Sequence, residues 1–429
     1  MPVIRQMTKT VIMLISNGSK EGSNLAMAVE HDSVIRGLAD ETSAAQKLRI
    51  LFLIDEIGAI TEGGTERQVL QLVQLARRLG YDPRLAVLRG TEWLHEEQAG
   101  CPIYLTRADS LLRLSGWRSC VGLMRWMRRE RVAVIQTFFV ECNILGPWLG
   151  RLAGVAVVIG SRRNLNQWHG RAKWVEQLIC WLQRLSNLSA DCIVGNSEVV
   201  VNAMVTTERI PREKMRVAYN GIDLRKFSGL ELQRSRARQM LGVAEDEVLV
   251  GNISCMRPVK GLCQFVDAAH IVLKKAPGMR FLIVGDGSEM EAVTERIQLH
   301  GIADRIHLAG AQTDVLPYLA AMDIGVLSSL AEGFSNSLLE YMAAGLASVA
   351  TDVGGNREAL QETGILVPAD DSATLAEAIL QLRSVPMRRK MGVAARERVE
   401  QFSLERAERR MEEIYTEMLH SKKIPQRKN

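Results

Sequence analysis

The chain has 429 residues, 47% of them hydrophobic and 24% charged, and its 54 Lys and Arg against 49 Asp and Glu leave a net charge of +5. That length suits two or three globular domains. No apolar run reaches the ~18–20 residues of a spanning helix, and so modest a charge gives little support to nucleic-acid binding. The seven cysteines are odd in number, scattered and without zinc-ligand spacing, which suits reduced thiols in a cytoplasmic protein and no metal site.

Residues 1–46 mix small, polar and charged types without periodicity and read as a weakly ordered N-terminal extension. Order is expected from Leu48-Arg-Ile-Leu-Phe-Leu-Ile54, a buried-strand run, followed by Thr61-Glu-Gly-Gly-Thr65 and a helical pattern closed by Gly80. Gly63-Gly64 is either a plain tight turn or a place where a phosphate approaches the backbone. Strands are then expected at 84–88, 104–105, 132–137, 155–159, 191–196 and 215–219, with helices over 111–131, 142–153 and 173–188. Repeated strand–helix order argues for a parallel sheet covered on both faces. A charged helix over 224–246 separates this half, residues 47–225, from a second, residues 226–402. There, strands are expected at 247–253, 279–284, 306–308, 323–327, 347–350 and 364–367. A charged amphipathic helix over 403–419 and a frayed end complete the segment 403–429. Two doubly wound, Rossmann-like α/β domains in tandem imply a cleft between them, where a two-substrate enzyme works.

The densest signal is Glu332-Gly-Phe-Ser-Asn-Ser-Leu-Leu-Glu340. A strand feeds a small-residue loop, Ser335 or Asn336 caps a helix, and Leu338, Leu339, Met342 and Leu346 recur at helical spacing. Free N–H groups and the positive helix end suit an anion. Carboxylates beside that anion suit hydroxyls instead, because each accepts two O–H bonds. Phosphate and hydroxyls together describe a sugar nucleotide. Arg257-Pro-Val-Lys260-Gly261 follows the first strand of the second half and brings a fork and a point charge to the same sheet edge. Gly285-Asp-Gly287 leaves that edge too.

With Asn220-Gly-Ile-Asp223 and Asp352-Val-Gly-Gly-Asn356, these motifs resemble the retaining GT-B glycosyltransferases of family four, from about Leu48 to the C-terminal helix. The resemblance implies a nucleoside diphosphate sugar held by the C-terminal domain, a glycan or lipid-linked acceptor on the N-terminal one, and no metal ion or other cofactor. It also suggests envelope or exopolysaccharide assembly. By this resemblance Arg257 and Lys260 hold the diphosphate and steady its charge as it leaves, and Glu332 holds hydroxyls of the transferred sugar. Glu340 takes the ribose hydroxyls, while Gly333, Phe334, Ser335, Asn336 and Ser337 line the donor site. Gly64 approaches the donor phosphates from the opposite domain. No protein nucleophile is named.

One departure stands out. Where many relatives carry a histidine near the end of the fourth strand, this chain reads Gln136-Thr-Phe-Phe-Val-Glu141, so Glu141 either takes that place or caps the next helix. His169 is the nearest histidine in sequence. Arg162 and Arg163, in Ser161-Arg-Arg-Asn164, either meet an anionic acceptor or are ordinary surface residues. Trp117, Arg118, Arg125, Trp126, Arg128 and Arg129 form either a solvated helix whose tryptophans fill the core or an interfacial helix on anionic lipid, which would place the enzyme on the inner membrane face. The rival functions are a sugar-nucleotide epimerase and a non-catalytic sugar-nucleotide-binding module. A dinucleotide fingerprint is missing, since Gly285-Asp-Gly-Ser-Glu-Met290 lacks its third glycine.

Overall fold

The computed structural model describes residues 47–56, 64–89, 96–106, 114–165 and 173–424. The expected extension 1–46, Gly63, His169 and residues 425–429 lie outside them.

Among the described residues seven strands form the first sheet: β1 (Arg49–Glu56), β2 (Asp82–Arg89), β3 (Ile103–Leu105), β4 (Val132–Thr137), β5 (Val157–Arg162), β6 (Cys192–Gly195) and β7 (Met215–Val217). Their order is β3-β2-β1-β4-β5-β6-β7, and every pairing is parallel. Six more form the second sheet: β8 (Val248–Ile253), β9 (Met279–Val284), β10 (Ile306–Leu308), β11 (Ile324–Leu327), β12 (Ala347–Thr351) and β13 (Ile365–Val367). Their order is β10-β9-β8-β11-β12-β13, again parallel throughout. Strands this apolar on both sides need helices over both faces. β4 and β5 show the result, with every residue buried.

In each sheet the chain starts in the middle and turns back, which makes a crevice between β1 and β4 and another between β8 and β11. Ligands of such sheets collect at those reversal points, outside the carboxyl ends of the strands. Arg257 follows β8 and Glu332 follows β11, so both stand at the second reversal point.

The segment expected as one charged helix over 224–246 is instead two 3₁₀ turns, Leu224–Phe227 and Leu230–Gln233, and a short helix, Arg234–Leu241. Gly229, left-handed at φ 69°, breaks the run. The C-terminal helix, Leu404–Ser421, returns to the first sheet. Its stripe of Met411, Ile414, Tyr415, Met418 and Leu419 joins the core formed by β1, β4 and helix Gly64–Arg78. Tyr415 donates its hydroxyl to Gln136 Oε1 at 2.6 Å, which satisfies a buried amide of β4.

Candidate active site

Three loops leave the carboxyl edge of the second sheet and are bound to one another. Gly285 and Gly287 press against the backbone after β8, where a Cβ would lie 2.0 Å from Ser254 O and 2.5 Å from Met256 O. Met256 N donates to Asp286 O at 2.8 Å. On the other side Gly261, at φ +61°, lies where a Cβ would meet Ser328 O at 2.2 Å, and Leu330 N donates to Val259 O at 2.8 Å. Within this frame Lys260 Nζ reaches Glu332 Oε1 at 2.5 Å, and Ser329 Oγ donates to the same oxygen at 2.7 Å. Arg257 starts the 3₁₀ turn Pro258–Lys260 and is exposed, its Nε 3.4 Å from Cys255 Sγ. The three charges named from sequence therefore sit on two neighbouring loops of one edge.

Ser335 caps helix Asn336–Ala344, its Oγ accepting from Leu338 N at 3.3 Å. Among the described residues no backbone carbonyl takes the N–H groups of Gly333, Phe334 or Ser335. They stand ahead of the helix end, as an anion cradle requires. The Phe334 ring itself is buried, 5.1 Å from the rings of Tyr219 and Phe402, so only its backbone is offered. Ser337 lies in the first turn and is half-buried.

Glu340 is one turn deeper. Burial pushes its carboxyl up to about 7, against the pull of Arg67 and Lys226. Its nearest charge is Arg67 Nη1 at 3.7 Å, from the opposite domain. Sequence reasoning missed Arg67, although it is only three residues beyond Gly64 on a helix that starts at the cleft.

The first domain meets this loop from across the cleft. A Cβ on Gly64 would lie 2.7 Å from Asn336 Nδ2, which reaches Gly64 O at 3.4 Å. Asn220 Nδ2 donates to Asn336 Oδ1 at 2.8 Å and to Phe334 O at 3.0 Å. Ser197 Oγ donates to Gly333 O at 3.1 Å. Gly333 lies so close to the first domain that a Cβ would come within 2.0 Å of Arg163 O.

The acceptor-side candidates separate. Arg162 is not a cleft residue: only 3% exposed, it donates to Glu208 Oε2 at 3.1 Å and Asn187 Oδ1 at 2.9 Å, a buried ion pair inside the domain. Being two residues before Asn164, it is still part of β5, and its side chain is spent there. Arg163 lines a small, mainly apolar cavity beneath helices Gly64–Arg78 and Leu404–Ser421, whose polar lining includes Gln68, Gln71, Gln136 and Ser161. Its Nη2 has no partner there, and desolvation lowers the guanidinium to about 10. Glu141 lies in the first turn of helix Val140–Ala153 and pairs with Arg89.

Asp55, also missed, caps that helix, accepting Glu141 N at 3.0 Å and Cys142 N at 2.6 Å. Burial pushes its carboxyl up to about 6 despite those bonds. Between them Phe139 holds φ 59° and ψ −178°, a region that glycine alone visits freely. The stretch Gln136–Glu141 thus includes a strained turn fixed by Asp55. In the sequence the one hint was the acidic pair Asp55-Glu56 that ends β1.

Helix Leu114–Arg129 presents neither of its two tryptophans freely, Trp117 and Trp126 both being half-buried. Trp126 stacks on Tyr104, centroids 4.9 Å apart, and packs partly into the core. Among the described residues all seven cysteines are free, and no helix is long and apolar enough to cross a membrane.

Residues 63–221 match the family model of the glycosyl transferase 4-like domain, and residues 246–384 match that of the glycosyl transferases group 1. N-acetyl-alpha-D-glucosaminyl L-malate synthase of Bacillus anthracis is 29% identical over 310 residues, 71% of this chain and 73% of that protein. UDP-Gal:alpha-D-GlcNAc-diphosphoundecaprenol alpha-1,3-galactosyltransferase of Escherichia coli is 23% identical over 324 residues, covering 74% and 83%. The structure of Anabaena HepE in complex with UDP-glucose superposes with a TM-score of 0.75 at 21% identity, over 86% of this chain and 100% of that one. Two sheets reversed at facing crevices, with the Glu332–Glu340 loop between them, are accordingly the GT-B architecture, and the chain belongs to the group 1, family-four type of glycosyltransferases.

Proposed function

We propose that this glycosyltransferase moves a sugar from a uridine diphosphate sugar, with retention at the anomeric carbon, to a lipid-linked glycan of a bacterial envelope or exopolysaccharide. The observation that carries the donor half is the Lys260–Glu332 contact of 2.5 Å, placed between the Arg257 loop and the free N–H groups of residues 333–335. A diphosphate entering there exchanges with Glu332 for Lys260. The exchange frees Glu332 to accept sugar hydroxyls and adds Lys260 to Arg257 on the phosphates. Uridine is favoured because solved neighbours of the same fold are complexes with UDP and UDP-glucose, and the lipid-linked acceptor because the Escherichia coli relative is named for one.

In the reaction the bond from the anomeric carbon to the β-phosphate oxygen breaks and a bond to the acceptor oxygen forms. The acceptor proton passes to the departing phosphate. Arg257 and Lys260 stabilise the charge that grows on UDP, which is the largest single contribution in such transfers. These two cations do the work a divalent ion would otherwise do, so activity is expected to persist in EDTA. Glu332, bound to sugar hydroxyls, is not the nucleophile, and the acceptor attacks from the face the phosphate leaves.

The test is a thermal-shift panel of nucleoside diphosphate sugars, followed by proton NMR of the anomeric signal in the product. UDP-sugars should raise the melting temperature by mass action, and the product should keep the donor configuration. Stabilisation by guanosine or adenosine sugars alone would replace the donor assignment. Donor consumption without acceptor would favour an epimerase, and binding without turnover a non-catalytic module.

A further inference from the structure

Helix Lys173–Ser189 is packed with its polarity reversed. Its buried residues are Gln183, Ser186 and Asn187. Ser186 donates to Ile144 O at 2.7 Å, and Asn187 is tied to Arg162 and Glu208. The outward stripe, at seven-residue spacing, is Trp174, Trp181 and Leu188, which are 51%, 44% and 72% exposed. The adjoining helix, Val140–Ala153, turns Trp148 and Leu152 outward at 43% and 49%, four residues apart and so on one face. A helix facing water carries its polar side outward. Two packed helices with large apolar groups on the outside mark an interaction surface.

Its charge says what kind. Helices Leu114–Arg129, Val140–Ala153 and Lys173–Ser189 lie side by side and carry seven basic residues against two acidic ones. Arg118, Arg125, Arg128 and Arg129 are exposed on the first of these helices, and Arg128 Nη2 donates to Leu152 O at 2.5 Å. Tryptophans among arginines fit the boundary between acyl chains and anionic headgroups, where the ring is half apolar and the cations meet phosphate. A second copy of the chain fits poorly, because a two-fold pairing would set the same basic rim against itself.

We propose that this face docks on the surface of an anionic lipid bilayer, with Trp148, Trp174, Trp181, Leu152 and Leu188 entering the headgroup boundary and the arginines of the neighbouring helix holding lipid phosphate. The docking helix is Lys173–Ser189 with Val140–Ala153, not the arginine-bearing helix alone. Because the crossover from β5 starts at the cleft, Trp174 lies at the cleft end of the stripe, so a docked enzyme keeps its cleft at the membrane plane. The inference rests on the lipid-linked acceptor proposed above.

The test is flotation of the full chain with vesicles of phosphatidylglycerol and phosphatidylethanolamine, or of phosphatidylcholine alone, at low and high salt. Binding to the anionic vesicles is expected, weakening with salt. The Trp148→Ser/Trp174→Ser/Trp181→Ser variant should lose at least roughly tenfold in partitioning, since three aromatic side chains no longer leave water. Absence of binding by the natural chain, or equal binding by the triple variant, overturns the proposal. So does a sedimentation mass that falls from dimer to monomer in the variant, which would assign the face to a second copy. UDP-induced thermal shift on the same samples keeps the two readings apart. UDP binding without vesicle binding removes the docking alone, and vesicle binding without a UDP shift removes the donor assignment alone.

Discussion

The two sheets share one plan but use their edges differently. In the second domain the loops after β8, β9 and β11 are bonded backbone to backbone, with Gly261, Gly285 and Gly287 packed where no side chain fits. That edge is rigid before any ligand arrives, as a charge-stabilising site has to be. The first domain reaches the same point with scattered groups: Gly64, Arg67, Ser197, Asn220 and the carbonyl of Arg163. The lesson is a difference in build, with an edge bonded backbone to backbone in one half and, in the other, single groups that meet it from across the cleft.

The largest expected effect strikes the rigid half. Lys260→Ala removes one preorganised cation and should lower kcat by roughly two to three orders of magnitude. The melting temperature should barely move, because the Lys260–Glu332 pair is partly exposed and worth little to folding. Steady-state kinetics beside calorimetry decides it. A large fall in stability with unchanged kcat would make the pair structural.

The opposite signature is expected in the first domain. Arg162→Ala removes the guanidinium that pairs with the buried Glu208 carboxylate at 3.1 Å, which costs about 3–5 kcal/mol. Denaturant unfolding should register that loss, while kcat per folded molecule stays near normal. The adjacent arginines show why this could not be read from the sequence. Both follow an apolar strand run, and only the register of β5, carried through Arg162, decides which side chain is buried with Glu208. A one-residue shift changes the face.

The loops at the edge of the second sheet were legible for the converse reason. Glycines at close approaches, the Ser335 cap and the eight-residue interval between Glu332 and Glu340 are local constraints that leave marks in sequence. The alternation of strands and helices was equally plain, and most strand ends moved by only one or two residues. Arg67, Asp55 and the return of the C-terminal helix were not legible, because each depends on which distant element lies opposite. The outward stripe at Trp174, Trp181 and Leu188 was illegible for a related reason. Tryptophans at helical spacing ordinarily point inward, and only the polar network at Gln183, Ser186 and Asn187 turns them out.

Two glycines can separate closure from folding. A methyl on Gly354, at φ +53°, would lie 1.9 Å from Glu332 O in the same domain, so Gly354→Ala should destabilise the fold by about 1–3 kcal/mol. A methyl on Gly333 would strike Arg163 O, which belongs to the other domain. The chain relieves that clash by opening the cleft, so Gly333→Ala should keep its melting temperature and lose roughly tenfold or more in kcat/KM. Equal losses of stability in the two variants would show that the halves do not move apart.

The smallest effect concerns Glu340. Its carboxyl sits at about 7 in the folded chain against an ordinary 4.5, raised by burial. The folded state therefore binds more protons between those values, and stability falls as pH rises through that window, the loss being complete above about 7. Asp55 contributes a fall of the same sign at lower pH. Glu340→Gln removes the first fall and leaves the second. The variant should be more stable than the natural chain at pH 8, by on the order of 1–3 kcal/mol, with the gain shrinking towards nothing near pH 4.5. Its affinity for UDP should drop roughly tenfold at pH 8, where a carboxylate accepts both ribose hydroxyls and an amide oxygen accepts them more weakly. A stability gain with undiminished UDP affinity would leave Glu340 a buried acid without a ligand, and ribose recognition would then rest on the first domain.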